Sequence, residues 1–313
     1  MGKKGGVKIC ALATGDEQRV ADLIHRSLVS WYGKNLGQGG RFGESSEPFL
    51  LFPRVYEALD PGDAVAAYGE KGELLGVCFA HARPTHYSVG IVATDPSSAG
   101  RGVARALLAE VLKRADREEK PVRLVSSLWS LDSYSLYTRM GFRPGAIYQD
   151  LQFEVPDTGL RGEVPSGVDR VRLAGRQDAE KIARFEQQLR GIFREKDWVF
   201  FLGKKVLDWR VWVAEDGSGD VAGVLVSGEH PHWGMLGPGV ARDADWAGAL
   251  VWRALGERCG RTTVLLVPAR ETELVRRLYA WGGRNLELHV AQVRGLEFEE
   301  AGIGFPTFLP ETA

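Results

Sequence analysis

Apolar positions in this chain recur every second residue in some stretches and every three to four in others. That switching divides it into strands and helices. Residues 7–13 (VKICALA) read as a strand. Thr14-Gly15-Asp16-Glu17 has the form of a capping box, with Thr14 as the cap and Glu17 reaching back. The helix behind it carries Val20, Leu23, Ile24, Leu28 and Trp31 on one side as far as Tyr32. Residues 33–47 (GKNLGQGGRFGESSE) have no period and predict a mobile loop of the kind that carries substrate contacts. A short helix over 48–60 stops at Asp60-Pro61-Gly62, and residues 64–83 form a hairpin turning at Glu70-Lys71-Gly72.

Residues 88–112, SVGIVATDPSSAGRGVARALLAEVL, combine the features around which the rest is arranged. Val89, Ile91 and Ala93 alternate as in a strand, and Asp95-Pro96-Ser97-Ser98 breaks it. Gly100-Arg101-Gly102 then leads into a helix with Val103, Leu107, Leu108, Val111 and Leu112 on one face. Free N–H groups in a first helical turn, with glycines that let a ligand approach, make an anion site. The spacing is not that of a dinucleotide fingerprint, since position 105 is Arg, and no Gly-Lys-Ser/Thr follows as in a P-loop. An ordinary glycine turn at a helix start fits these residues equally well. Further on, 122–128 is a strand, Asp132 to Met140 a short helix stopped by Gly141, and 146–155 a final strand.

Residues 156–167 (PDTGLRGEVPSG) have linker composition, and beyond them the same order returns. Residues 170–174 match the first strand and 178–189 the first helix. VWVAEDGSGDVAGVLVSGEH repeats the first hairpin, with Gly223 in the place of Gly76. AGALVWRAL (247–255) answers ARALLAEVL (104–112), and Leu278-Tyr279-Ala280-Trp281-Gly282-Gly283 answers Leu136 to Gly141. The expected organisation is 1–155 as one domain, 156–167 as a linker and 168–313 as a second, similar domain. A length of 313 residues agrees with two domains.

Composition then narrows the function. Hydrophobic content of 44% with 26% charge is that of a globular chain able to bury large cores. A formal net charge of −1, without a basic cluster, disfavours nucleic acid or a membrane surface as partner. No apolar run reaches the ~20 residues of a membrane span, and the expected location is cytoplasmic. Cys10, Cys78 and Cys259 lack metal or disulfide spacing and read as small core hydrophobes. Most of Trp198, Trp209, Trp212, Trp233, Trp246 and Trp252 read as core, and the apolar tail 302–310 as packing back on the body.

The pieces together resemble the GNAT acetyltransferase superfamily. Its glycine loop corresponds to Val92-Ala93-Thr94-Asp95-Pro96-Ser97-Ser98-Ala99-Gly100-Arg101-Gly102-Val103-Ala104, and its helix with a Tyr ahead of Gly-Phe to Ser135 through Phe142. Two positions depart from the family pattern: Ala99 replaces an Arg or Gln, and Ser130 replaces an Asn seven residues before Tyr137. The resemblance implies an α/β (α+β) fold, two tandem domains each with a mixed, mostly antiparallel sheet flanked by helices. It implies acyl transfer from acetyl-CoA to a small-molecule or peptide amine, with no metal. The pyrophosphate would lie on the N–H groups of Ala99 to Ala104, with Arg101 and Arg105 adding charge. The thioester would lie along Val92, Ala93 and Thr94, where a backbone N–H polarises the carbonyl, and Ser130 and Ser133 would border the ligand.

Tyr137 would be the general acid for the departing thiolate, or alternatively a packing residue beside Phe142. His86 or His81, flanking the start of the central strand, is the candidate base, with Asp95 at its far end; solvated loop histidines beside Arg83-Pro84 are the plainer alternative. Glu44 and Glu47 would attract a cationic amine or simply decorate a surface. In the second half Asp243 and Asp245 stand opposite Gly100 and Gly102, so that copy is expected not to bind CoA and Tyr279 to be structural. The second copy would then shape the acceptor site or form a homodimer surface. A non-catalytic acyl-CoA sensor is the alternative to an enzyme.

Overall fold

The computed structural model describes residues 6–230, 234–296, 300–307 and 309. Trp233 and parts of the apolar tail lie outside the described residues. The chain forms two compact units. One comprises Met1–Ala82 and His86–Val122 with Phe308–Glu311, the other chiefly Arg83–Thr85 and Arg123–Thr307.

The first unit contains β1 (Lys8–Ala11), α1 (Glu17–Leu36), α2 (Leu51–Leu59), β2 (Val65–Tyr68), β3 (Leu74–Ala82), β4 (Tyr87–Thr94) and α3 (Val103–Arg117). Its strands lie in chain order and are all antiparallel. Val20, Leu23 and Ile24 of α1 and Leu107, Leu108 and Val111 of α3 are buried, as their helical spacing requires.

Three local expectations are corrected here. The cap of α1 is Asp16 rather than Thr14, and no side chain bonds to the helix N-terminus. Gly15, at φ +91°, turns the chain after Thr14, and Asp16 spends its carboxylate on Arg19 (2.8 Å) and the Tyr68 hydroxyl (2.6 Å). The helix also runs past Tyr32 to Leu36, where Gly37 closes it in the left-handed conformation. Finally, 33–47 is no open loop. A Cβ at Gly39 would meet the Val29 carbonyl at 2.8 Å and Gly33 at 3.2 Å. The glycines thus let the segment fold back on α1, where Phe42 packs edge-on to Tyr32 at 4.9 Å.

The second unit contains β5 (Val122–Ser127), α4 (Leu131–Arg139), β6 (Arg143–Glu154), β7 (Val171–Leu173), α5 (Ala179–Arg190), α6 (Glu195–Leu202), β8 (Asp208–Glu215), β9 (Val221–Glu229), β10 (Met235–Ala241), α7 (Ala244–Gly256), β11 (Thr262–Pro268), α8 (Thr272–Ala280), β12 (Arg284–Arg294) and β13 (Ile303–Phe305). Its strand order is β5-β12-β6-β11-β10-β9-β8-β7, with β13 beside β10. The sheet is mixed and mostly antiparallel, as expected, with β10 and β11 parallel.

The interleaving is the feature that the repeat did not show. β6, from the first half of the sequence, lies between β11 and β12 of the second, and β12 lies between β5 and β6. Each half thereby lends a strand to the other. One core runs beneath, from Leu151 and Phe153 of β6 to Leu250 of α7 and Leu278 of α8. Trp198, Trp209 and Trp212 are buried, and Trp246 and Trp252 pack at the core's edge. The cysteines divide. Cys78 is buried, and desolvation pushes its thiol up to about 12, whereas Cys259 is exposed and not a core hydrophobe.

Candidate functional site

The stretch 88–112 forms a strand, a glycine turn and a helix, and the turn has the geometry of an anion cradle. Asp95 caps a single 3-10 turn, Pro96–Ser98, accepting from Ser97 N–H at 2.9 Å. The chain then passes through Gly100 (φ +74°) and Gly102 (φ +79°), both in the left-handed region that only glycine enters freely. Gly102 is the N-cap of α3, and it has no side chain with which to bond the helix N-terminus. Donors in this loop divide in two. Ala99 N–H goes to the Pro96 carbonyl and Arg101 N–H to the Ser98 carbonyl, each at 3.2 Å. The N–H groups of Gly102, Val103, Ala104 and Arg105 have no acceptor among the described residues. A Cβ at Gly100 or Gly102 would meet nothing within 4 Å, so the space before these donors is open. Arg101 and Arg105 are exposed beside it and form no ion pair among the described residues. Unsatisfied donors, the helix dipole and two free guanidinium groups suit a phosphate.

The strand leading into this turn is irregular. Cys78 pairs with Val92 but Ala80 with Val89, so Gly90 and Ile91 together oppose Phe79 in a β-bulge. A bulge frees backbone polar groups from the ladder, and it lies immediately before Val92, Ala93 and Thr94. Gly90, Ile91 and Val92 are only half-buried. A Cβ at Gly90 would strike the Tyr56 ring and hydroxyl at 2.6 Å, so glycine there admits Tyr56 of α2 against the bulge. The Tyr56 ring stacks on Phe79 at 4.3 Å and on His81 at 4.9 Å. Asp60, one helical turn beyond Tyr56, holds His81 Nδ1. Sequence reasoning missed Tyr56 and Asp60, although their i, i+4 spacing on a helix of strong apolar face was a usable signal.

Both histidines are therefore buried, at 0% and 1% exposure, and the solvated-loop reading is corrected. His86 Nε2 lies 3.1 Å from Ser88 Oγ. The turn beside them is not solvated either. Arg83 belongs to the second unit, where its Nε donates to Asp197 Oδ2 at 3.0 Å, and Phe193 N–H donates to Thr85 Oγ1 at 3.1 Å. Asp95 is held well below the usual carboxylate range by the Ser97 hydroxyl and by Arg26 at 3.1 Å, which makes it a weak base. Glu44 and Glu47 are exposed.

Tyr137, Ser130 and Ser133 lie in the second unit. Tyr137 is buried on α4, edge-on to Phe142 with ring centres 5.8 Å apart. Its carbonyl accepts from Met140 and Phe142 N–H at 3.0 Å as Gly141 (φ +88°) ends the helix. Ser130 is the N-cap of α4, and its hydroxyl donates to Ser133 Oγ at 2.7 Å.

The second copy keeps the strand irregularity and lacks the cradle. In β10, Leu236 pairs with Ser227 and Gly239 with Leu225, which places a bulge at Gly237 and Pro238. Between β10 and α7, however, stand only Arg242 and Asp243, where the first copy has residues 95–102. The Asp243 carboxylate accepts from Asp245 and Trp246 N–H, each at 3.1 Å, so the helix already carries its own anion. Asp245 is paired with Arg277 at 3.0 Å. β10 and β11 pair only at Met235–Val264 and Leu236–Leu265. Beyond that β13 takes the edge of β10, with Gly239 opposite Phe305 and Ala241 opposite Ile303. Tyr279 is 43% exposed and donates to Gln149 Oε1.

Comparison with known proteins agrees with this architecture. Residues 61–144, spanning the hairpin, the bulge, the cradle and α4, match the model of the acetyltransferase (GNAT) domain family. No curated protein matches the sequence. Among solved structures, a candidate acetyltransferase from Pyrococcus horikoshii has a TM-score of 0.72 at 15% identity, over 95% of this chain and 92% of that one. A GCN5-related N-acetyltransferase from Sphaerobacter thermophilus has a TM-score of 0.62 at 18% identity, over 96% and 100%. A tandem GNAT protein from the clavulanic acid biosynthesis pathway has a TM-score of 0.59 at 16% identity, over 92% and 98%. These likenesses run nearly end to end and show a shared tandem fold.

Proposed function

From a chain that carries a GNAT acetyltransferase domain on a tandem fold, we propose an acyl-CoA-dependent N-acyltransferase that moves an acetyl group from acetyl-CoA to an amine by direct attack in a ternary complex. The observation that carries this reading is the contrast between the two copies. The first offers four unused N–H groups at an open glycine turn, whereas in the second the Asp243 carboxylate already accepts from two N–H groups of the corresponding helix start.

In the first copy the pyrophosphate sits on the donors of Gly102 to Arg105, with Arg101 and Arg105 as its counter-charges. The thioester runs along Val92 to Thr94, and backbone N–H at the bulge receives the oxyanion. The amine attacks as the free base, its proton leaving through water, and forms the C–N bond as the C–S bond breaks. Tyr137 gives its proton to the departing thiolate. His81, fixed by Asp60 and buried, is a positioning residue that keeps Tyr56 against the bulge. The second copy binds no acyl-CoA, with Asp243 at its anion site and β13 along its opened strand, and Tyr279 is structural. The acceptor is a small-molecule or peptide amine.

The test is thiol release from acetyl-CoA over a panel of amines, with Tyr137→Phe alongside wild type. Turnover on at least one amine is expected, with kcat for Tyr137→Phe reduced about 100-fold or more at saturation. CoA binding without turnover on any amine sinks the enzyme in favour of a sensor, and an unchanged kcat removes Tyr137 from the chemistry.

A further inference from the structure

The sheet of the second unit buries a group of donors that the acyl-CoA reading does not use. Asp150 of β6 and Glu287 of β12 are cross-strand partners, and His289 lies two residues beyond Glu287 on the same face. All three are buried, at 6%, 5% and 4% exposure. One donor atom from each lies within 4.8 Å of the others, and among the described residues no other group of His, Cys, Asp and Glu side chains comes together in this way. His289 Nε2 is 2.9 Å from Glu287 Oε1 and 3.8 Å from Asp150 Oδ2. Both separations are below the ~4.2 Å that spans two ligands of one ion at ordinary Zn–N and Zn–O bond lengths.

Asp150 is the independent pointer to a ligand. Its Oδ1 accepts no hydrogen bond among the described residues, and its one charged partner there is the imidazole 3.8 Å away. A carboxylate this deeply buried needs full compensation, and a cation shared with Glu287 and His289 supplies it.

We propose that Asp150, Glu287 and His289 bind one divalent transition-metal ion, with Zn²⁺ the best match. An imidazole with two carboxylates suits Zn²⁺ better than a soft metal, which prefers thiolate, or Mg²⁺, which prefers oxygen alone. The site is structural. It clamps β12 to β6, the two strands that the halves of the sequence exchange, and it uses none of the residues assigned to acyl-CoA. Two carboxylates balance the ion's charge, and water completes its coordination.

The rival occupant is a proton on His289, which would make an ion triad with no metal. Full-length protein is stripped with a chelator, then titrated with Zn²⁺ by calorimetry and melted with and without the ion. Wild type is expected to bind one equivalent, and its Tm to rise by roughly 5–10 °C at saturating ion. Co²⁺ in the same site should give visible d–d absorption. Asp150→Asn, which keeps the shape of the side chain, and Glu287→Gln should each weaken binding at least about 10-fold. No uptake by folded wild type overturns the proposal without recourse to any variant. Uptake that both variants retain, as from the exposed Cys259, overturns it equally.

Discussion

Gly102→Ala separates the conformational role of the glycine turn from its role in binding. Gly102 sits at φ +79°, and a Cβ there meets no protein atom within 4 Å. The cost to folding is therefore the left-handed backbone alone, about 1–2 kcal/mol, or a Tm lower by a few degrees. Gly15 is a matched control, since it has φ +91°, is equally uncrowded and lies outside the cradle. Gly15→Ala should lose the same stability. The two variants part company over acetyl-CoA, because the methyl of Gly102→Ala occupies the space in front of the free donors. Losing one or two charge-assisted hydrogen bonds at 1.5–3 kcal/mol each weakens binding about 10- to 100-fold if only part of that energy is lost. The expected result is a Kd and KM for acetyl-CoA raised by that factor in Gly102→Ala, with kcat at saturation within about twofold. In Gly15→Ala neither constant should move. Equal CoA affinity in the two variants would refute the cradle and leave the turn as a helix start.

Other consequences concern the rest of the chain. Asp197→Ala takes a buried carboxylate away from the buried Arg83 guanidinium and should cost about 3–5 kcal/mol, a fall in Tm of roughly 6–20 °C. Asp197→Asn, which keeps an acceptor for the guanidinium, should lose less than Asp197→Ala, and equal damage from the two would contradict this. Asp243→Ala removes the α7 cap, should cost about 0.5–2 kcal/mol, and should leave CoA stoichiometry at one per chain by calorimetry, because β13 still lies along β10. Asp178 is held below the usual carboxylate range by Arg172, at 2.9 Å, and by Gly175 N–H. Its contribution is present above the unfolded pKa of ~3.9 and lost as pH falls through the lower folded value. Asp178→Asn should therefore flatten the acid limb of a stability–pH curve, and an unchanged limb would rule the pair out as its source.

What the sequence determined by itself was local or repeated. The strands of the first half, those of the repeated hairpin, most helices, the glycine turn at 100–102 and the tandem order were legible because each rests on spacing within one element or on two copies of one pattern. An aspartate at the start of the second copy's helix was legible for the same reason, since it compares two short stretches, but Asp243 is the N-cap of α7 as Gly102 is of α3, which the alignment with Gly100 did not show. The tertiary structure decided what depends on residues far apart in the chain. Arg83 looked like a turn residue until Asp197, more than a hundred positions on, was placed beside it. His81 read either as a base or as a solvated loop residue, and Tyr56 and Asp60 enclose it, which removes the solvated alternative; the glycines of 33–47 looked mobile until Gly39 met Gly33. The exchange of β6 and β12 left no local mark, because a strand's alternation states which face is buried and not which neighbour pairs with it. Asp150, Glu287 and His289 were invisible for that reason: only cross-strand pairing between the two halves brings their donors together.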